Sequence, residues 1–123
     1  MDKVISIVNR ENLVEMKNKV KEVFVHEKMY EYITDLVRGT RENELIKMGI
    51  SPRGAISICA MGQAWAFMHG RNYVIPQDIR DIFFDAVCHR ILISPKAHAQ
   101  GKSIYEILSE LVAATKIPGV TKE

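Results

Sequence analysis

Apolar residues recur every three to four positions along most of this chain, the period of helices with one buried face. Leu13, Met16, Val20 and Val23 form the first such stripe, on a helix for which Asn9 is the expected N-cap after an extended lead over residues 1–8. Val23, Phe24 and Val25 are β-favouring residues in succession and predict a short strand. A second helix is expected from about Glu27 to Arg38, with Met29, Tyr30, Ile33, Leu36 and Val37 on one face. Glu27, Glu31 and Asp35 lie on another, and Gly39 is placed to stop it.

The polar stretch 40–50 leads into Ser51-Pro52, a helix start. Serine caps well, and proline suits the first helical position because its missing N–H would have no partner there. From Ala55 to Met68 the helix is apolar nearly all round, which predicts a place at the centre of a bundle. Gly70 ends it, and Pro76 opens a helix with Ile79, Ile82, Phe83, Ala86 and Val87 on its apolar face and Asp78, Asp81 and Asp85 on the other. Ile91, Leu92 and Ile93 predict a second strand, expected to pair with the one near Phe24, and residues 94–102 read as loop. The last helix starts at a capping box, Ser103 with Glu106, and continues through Ile107, Leu108, Leu111 and Val112. The expected fold is all-α, a bundle of about five helices with two short β-strands.

At 123 residues the chain suits one domain, and 47% apolar with 26% charged residues is the composition of an ordinary globular core. Seventeen basic against fifteen acidic residues, a net charge of +2, is too near balance to be a footprint for nucleic acid or anionic membrane. No apolar run approaches the roughly 18 residues of a membrane span and no signal peptide is visible, so a cytoplasmic protein is expected. Cys59 and Cys88 form no disulfide framework.

Most of the chemical leads are weak. Gly101-Lys102-Ser103 precedes a helix as a phosphate loop would, but the pattern needs glycine where Lys96 stands. Ile82-Phe83-Phe84-Asp85 is followed by Ala86 where a second acid would be needed to hold magnesium. The acidic stripes read as solvated helix faces. His26, His69, His89 and His98 show no metal-ligand spacing with the cysteines, and Cys88 and His89, as helix neighbours, point about 100° apart. Arg53 differs from these. It follows Ser51-Pro52 in the first turn, beside open backbone N–H groups at the positive end of a helix dipole, where an anion would be favoured. Spacing alone leaves open whether it binds an anion or is a solvated surface arginine.

Five blocks carry a resemblance: Val23-Phe24-Val25, the run from Tyr32 to Arg41, Gly49-Ile50-Ser51-Pro52-Arg53-Gly54-Ala55, the run from Gly70 to Ile79, and Val87-Cys88-His89-Arg90-Ile91. In this order, over about Asn9 to Ile117, they resemble the C-terminal helical lid of MoxR-type AAA+ ATPases. The resemblance implies a lid domain over residues 9–117, a lead over 1–8 from a preceding ATPase core, and a tail over 118–123. It places ATP and Mg2+ in that core, with the phosphate loop, the magnesium carboxylates and the arginine finger, and leaves no catalytic residue and no metal ligand in this chain. The family's Ser-Pro-Arg arginine is its second sensor of nucleotide and maps onto Arg53, presented by Ser51 and Pro52.

The resemblance further implies ring oligomers, often hexamers, chaperone-like remodelling, and partners with von Willebrand factor A domains, without nucleic acid or membrane span. Gly54 stands where the family usually has alanine, and Ile75 where a Thr or Ser cap is usual. An independent helical interaction module and a small nucleic-acid binder are the competing readings.

Overall fold

A computed structural model describes residues 10–119. Its order is α1 (Arg10–Lys21), α2 (Glu27–Glu42), β1 (Ile46–Met48), α3 (Pro52–Met68), α4 (Pro76–Val87), β2 (Leu92–Ile93), α5 (Pro95–Ala99) and α6 (Ile104–Ala114). The all-α bundle with a minor two-stranded sheet is therefore present. The expected Asn9 cap and the 1–8 lead lie outside the described residues.

The core is the meeting of four helices. Met29, Tyr32, Ile33 and Leu36 of α2, Ile58 and Ala66 of α3, Ile79, Phe83 and Val87 of α4, and Ile107 and Leu108 of α6 are buried. Full burial of such side chains stabilises by about 1.5–3 kcal/mol each. The axes of α3 and α4 approach closely because Gly62 has no side chain, and a Cβ there would stand 2.5 Å from Ile79 Cδ1.

Several expectations need correction. The second helix does not stop at Gly39 but continues to Glu42, and Gly39 sits where α6 crosses, with Leu111 Cδ1 occupying the space of a side chain. Its service is close packing, not termination. In α3 the buried residues are Gly54, Ile58, Gly62 and Ala66, a single stripe at i,i+4, while Ile56 and Met68 are 71% and 74% exposed. A helix apolar all round is thus covered on one side only, and is not enclosed by its own domain. The α1 stripe holds only toward its C-terminal end: no residue of α1 is buried and Leu13 and Met16 face solvent, whereas Val20 is half-buried and Val23, just past the helix, joins the core. Tyr30 is likewise exposed.

The strand pairing differs as well. Leu92–Ile93 does not join the Phe24 segment but pairs antiparallel with β1, Ile46 opposite Ile93 and Met48 opposite Leu92. Phe24 makes a single parallel bridge to Tyr73 instead, its N–H donating to Asn72 O at 2.8 Å. A three-residue strand is too short to show a period, so β1 was hidden in a polar stretch. Residues 94–102 also hold a sixth helix, α5, started by Ser94 and Pro95 in the way that Ser51 and Pro52 start α3. Gly70 does end α3, at φ 76°, and Ser103 with Glu106 does form the box that opens α6.

Candidate functional site

The first turn of α3 is held from three sides. Ser51 is extended and its Oγ accepts from the Gly54 N–H at 3.2 Å, Pro52 has no N–H, and Ala55 N–H donates to Ser51 O at 3.1 Å. Of the N–H groups that this helix start leaves open, that of Gly54 is capped, whereas those of Ser51 and Arg53 have no acceptor among the described residues. Beneath the turn lies Ile50, 1% exposed, and a Cβ on Gly54 would fall 2.5 Å from its Cγ2. Glycine in place of the usual alanine makes room for this isoleucine.

Ile50 is itself anchored to α2. The buried Thr40 hydroxyl donates to Val37 O at 2.7 Å and accepts from the Ile50 N–H at 3.1 Å. Gly49 lies flat on the same helix end, where a Cβ would come within 2.8 Å of Arg41 Cα. On the remaining side stands Arg90, from the turn after α4, whose Nη2 donates to Ser57 Oγ at 3.3 Å. Outside its place in the Val87–Ile91 block, nothing in the sequence marks Arg90 as a partner of this turn, because Ser57 lies 33 residues away and no local spacing announces it.

Arg53 is exposed, and its guanidinium makes no ion pair or side-chain hydrogen bond among the described residues. An open backbone N–H, an open guanidinium and the positive end of a 17-residue helix are the parts of an anion contact. The turn contains no nucleophile paired with a base, and no group of His, Cys, Asp or Glu that could hold a metal occurs among the described residues.

The weak leads resolve into structural roles. Lys102 Nζ pairs with Glu110 at 2.7 Å, Gly101 is a left-handed turn residue at φ 69°, and Ser103 is the α6 cap. The triplet is a helix entrance. Asp78 does not belong to a solvated face: it is 1% exposed, accepts from Arg71 Nη2 at 2.6 Å and Ile75 N at 2.8 Å, and so supplies the start of α4 that Ile75 cannot cap. Asp81 accepts from Trp65 Nε1 at 3.1 Å and from Gln77 Nε2 at 2.7 Å. Trp65 is half-buried, not sealed in a bundle centre. Burial pushes the Cys59 thiol above its ordinary pKa, which suppresses the thiolate. No helix among the described residues is long and apolar enough to cross a membrane.

Comparison with known proteins agrees with this fold. The AAA lid domain family matches residues 38–111, more than half of the chain. The chain is 32% identical over 112 residues to the protein YeaC of Bacillus subtilis, covering 91% of this chain and 35% of that protein. It is 28% identical over 123 residues to the chaperone MoxR1 of Mycobacterium tuberculosis, covering 93% and 33%. A crystal structure of a candidate ATPase from Cytophaga hutchinsonii superimposes with a TM-score of 0.84 at 30% identity, over 92% of this chain and 37% of that one. The chain thus spans about a third of the length of these relatives. The matched segment runs from the last turns of α2 to α6 and contains the capped turn that presents Arg53, and on these grounds the chain belongs to the AAA lid domain family, as a lid of the MoxR type.

Proposed function

We propose that this chain is the C-terminal lid of a MoxR-type AAA+ ATPase and that Arg53 reads the phosphates of a nucleotide held by a preceding core. One observation carries the proposal: the Arg53 guanidinium and the N–H of the same residue stand open together, among the described residues, at a helix start whose Gly54 N–H is capped by Ser51. ATP suits this pair, since phosphate oxygens accept from both. Bound ATP with Mg2+ supplies the phosphoryl-transfer chemistry, with the metal held by carboxylates of the core.

Arg53 holds a phosphate oxygen before hydrolysis and loses or changes that contact afterwards, so the lid rotates about its connection to the core. The exposed apolar residues Ile56 and Met68 on α3, and Leu13 on α1, support a lid that is covered in assembly by its own core and by neighbouring subunits of a ring, often a hexamer in this family. Chaperone-like remodelling, supported by the chaperone MoxR1 likeness, completes the reading; the cytoplasm and von Willebrand factor A domain partners come to it from the family resemblance.

The test is steady-state ATP hydrolysis by the full-length natural protein with Arg53→Ala and Arg53→Lys. The alanine variant loses more than about tenfold, the effect of roughly 1.4 kcal/mol, and lysine restores part of it because a point charge cannot reproduce the guanidinium fork. Equal rates for all three return Arg53 to the solvated surface. An independent interaction module is the second reading, favoured by the apolar groove that Tyr30, Ile33, Ile56 and Cys59 line between α2 and α3.

A further inference from the structure

Arg90 reaches back to the turn of α3 that carries Arg53. Its Nη2 donates to Ser57 Oγ at 3.3 Å, and Ser57 Oγ donates to the backbone carbonyl of Arg53, also at 3.3 Å. The direction of this relay is fixed by chemistry. A guanidinium only donates, so the serine oxygen must accept from Arg90 and turn its own hydrogen toward the Arg53 carbonyl. The arginine stem lies along the turn as well, with Cδ 3.7 Å from the place of a Gly54 Cβ.

The other end of Arg90 is tied to α4, its N–H donating to Val87 O at 2.8 Å. One residue therefore joins the end of α4 to the carbonyl of Arg53. A second cation beside the positive end of α3 is an electrostatic cost unless an anion balances it there. We infer that Arg90 is a positioning residue: through Ser57 it fixes the backbone of Arg53 and so aims the Arg53 guanidinium at nucleotide phosphate. The inference rests on the reading of Arg53 as the nucleotide contact.

The experiment is ATP hydrolysis by the full-length natural protein, with kcat and KM measured for Arg90→Ala, Ser57→Ala, Ser57→Thr, Arg53→Ala and the Arg53→Ala/Arg90→Ala double variant, each with its melting temperature. Arg90→Ala and Ser57→Ala each lower kcat about fivefold, as loss of one hydrogen bond predicts, with KM for ATP within about twofold of wild type. Ser57→Thr keeps the hydroxyl and wild-type kinetics. In the Arg53→Ala background, Arg90→Ala lowers the rate no further, because it acts through the missing side chain. Additive losses in the double variant overturn the inference and make Arg90 a phosphate contact in its own right. Wild-type rates for Arg90→Ala beside a defective Arg53→Ala overturn it alone, and an inert Arg53→Ala overturns both readings. Rate losses in Arg90→Ala and Ser57→Ala that follow melting below the assay temperature also count against it.

Discussion

Gly54 and Ile50 interlock at the start of α3, the isoleucine methyl occupying the space that a side chain at 54 would take. On helix propensity alone, Gly54→Ala would stabilise by up to about 1 kcal/mol. The packing reverses the sign. Ile50 is 1% exposed and Cγ2 is not a mobile tip, so the added methyl forces a shift costing about 1–2 kcal/mol. Urea unfolding of the two proteins measures it, and a more stable alanine variant would contradict the packing described.

Asp78 is buried under Arg71 and bonded to the Ile75 N–H. Removing the carboxylate strands a partly buried guanidinium and uncaps α4 together. Asp78→Ala is expected to cost about 2–4 kcal/mol. Asp85→Ala, on the same helix but exposed, should stay within about 0.5 kcal/mol. Thermal melts of both variants compare the two sites.

The Tyr32 hydroxyl is buried without a hydrogen-bond partner among the described residues, and burial raises its pKa while nearby Arg80 opposes the rise. Tyr32→Phe removes an unsatisfied group and should stabilise by up to about 1 kcal/mol. The pH dependence has a definite sign. With the folded pKa raised, the neutral phenol's contribution is intact below the ordinary value of 10.0 and is lost as pH climbs through the higher folded one. Stability should therefore fall in alkaline solution, and the fall should be smaller in the phenylalanine variant.

Trp65 is half-buried, in tilted ring contact with His69 at 4.7 Å and bonded to Asp81. Its truncation to alanine should cost about 1–3 kcal/mol, below the roughly 3–5 of an enclosed ring. Its fluorescence should lie between those of buried and free indole, and quenching by iodide checks this.

What could be read in advance was local. Ser51-Pro52 and the Ser103–Glu106 box announce helix starts because a cap and its N–H lie three residues apart, and α4 shows its buried face because twelve residues cover three turns. Partnership across the chain was not legible. Nothing near Leu92 says that it pairs with Met48 and not with Phe24, and nothing near Arg90 points to Ser57. The apolar circumference of α3 was visible, but a sequence cannot say whether a face is covered by its own domain or left open. The cap and the family likeness single out Arg53 in the sequence, whereas the hydrogen bonds from Arg90 through Ser57 to its carbonyl are visible only in the fold.

The hydroxyl of Thr40 has a mechanical consequence. By grasping both the last turns of α2 and the residue beneath Arg53, it makes the first turn of α3 the fulcrum of a lever. Seventeen residues at 1.5 Å each give an arm of about 25 Å. A tilt of about 5° at Arg53 then swings the Met68 end by about 2 Å over that length. In the proposed nucleotide reading, a small pull on Arg53 would thereby reach the far, apolar tip as a larger displacement, where Met68 is exposed.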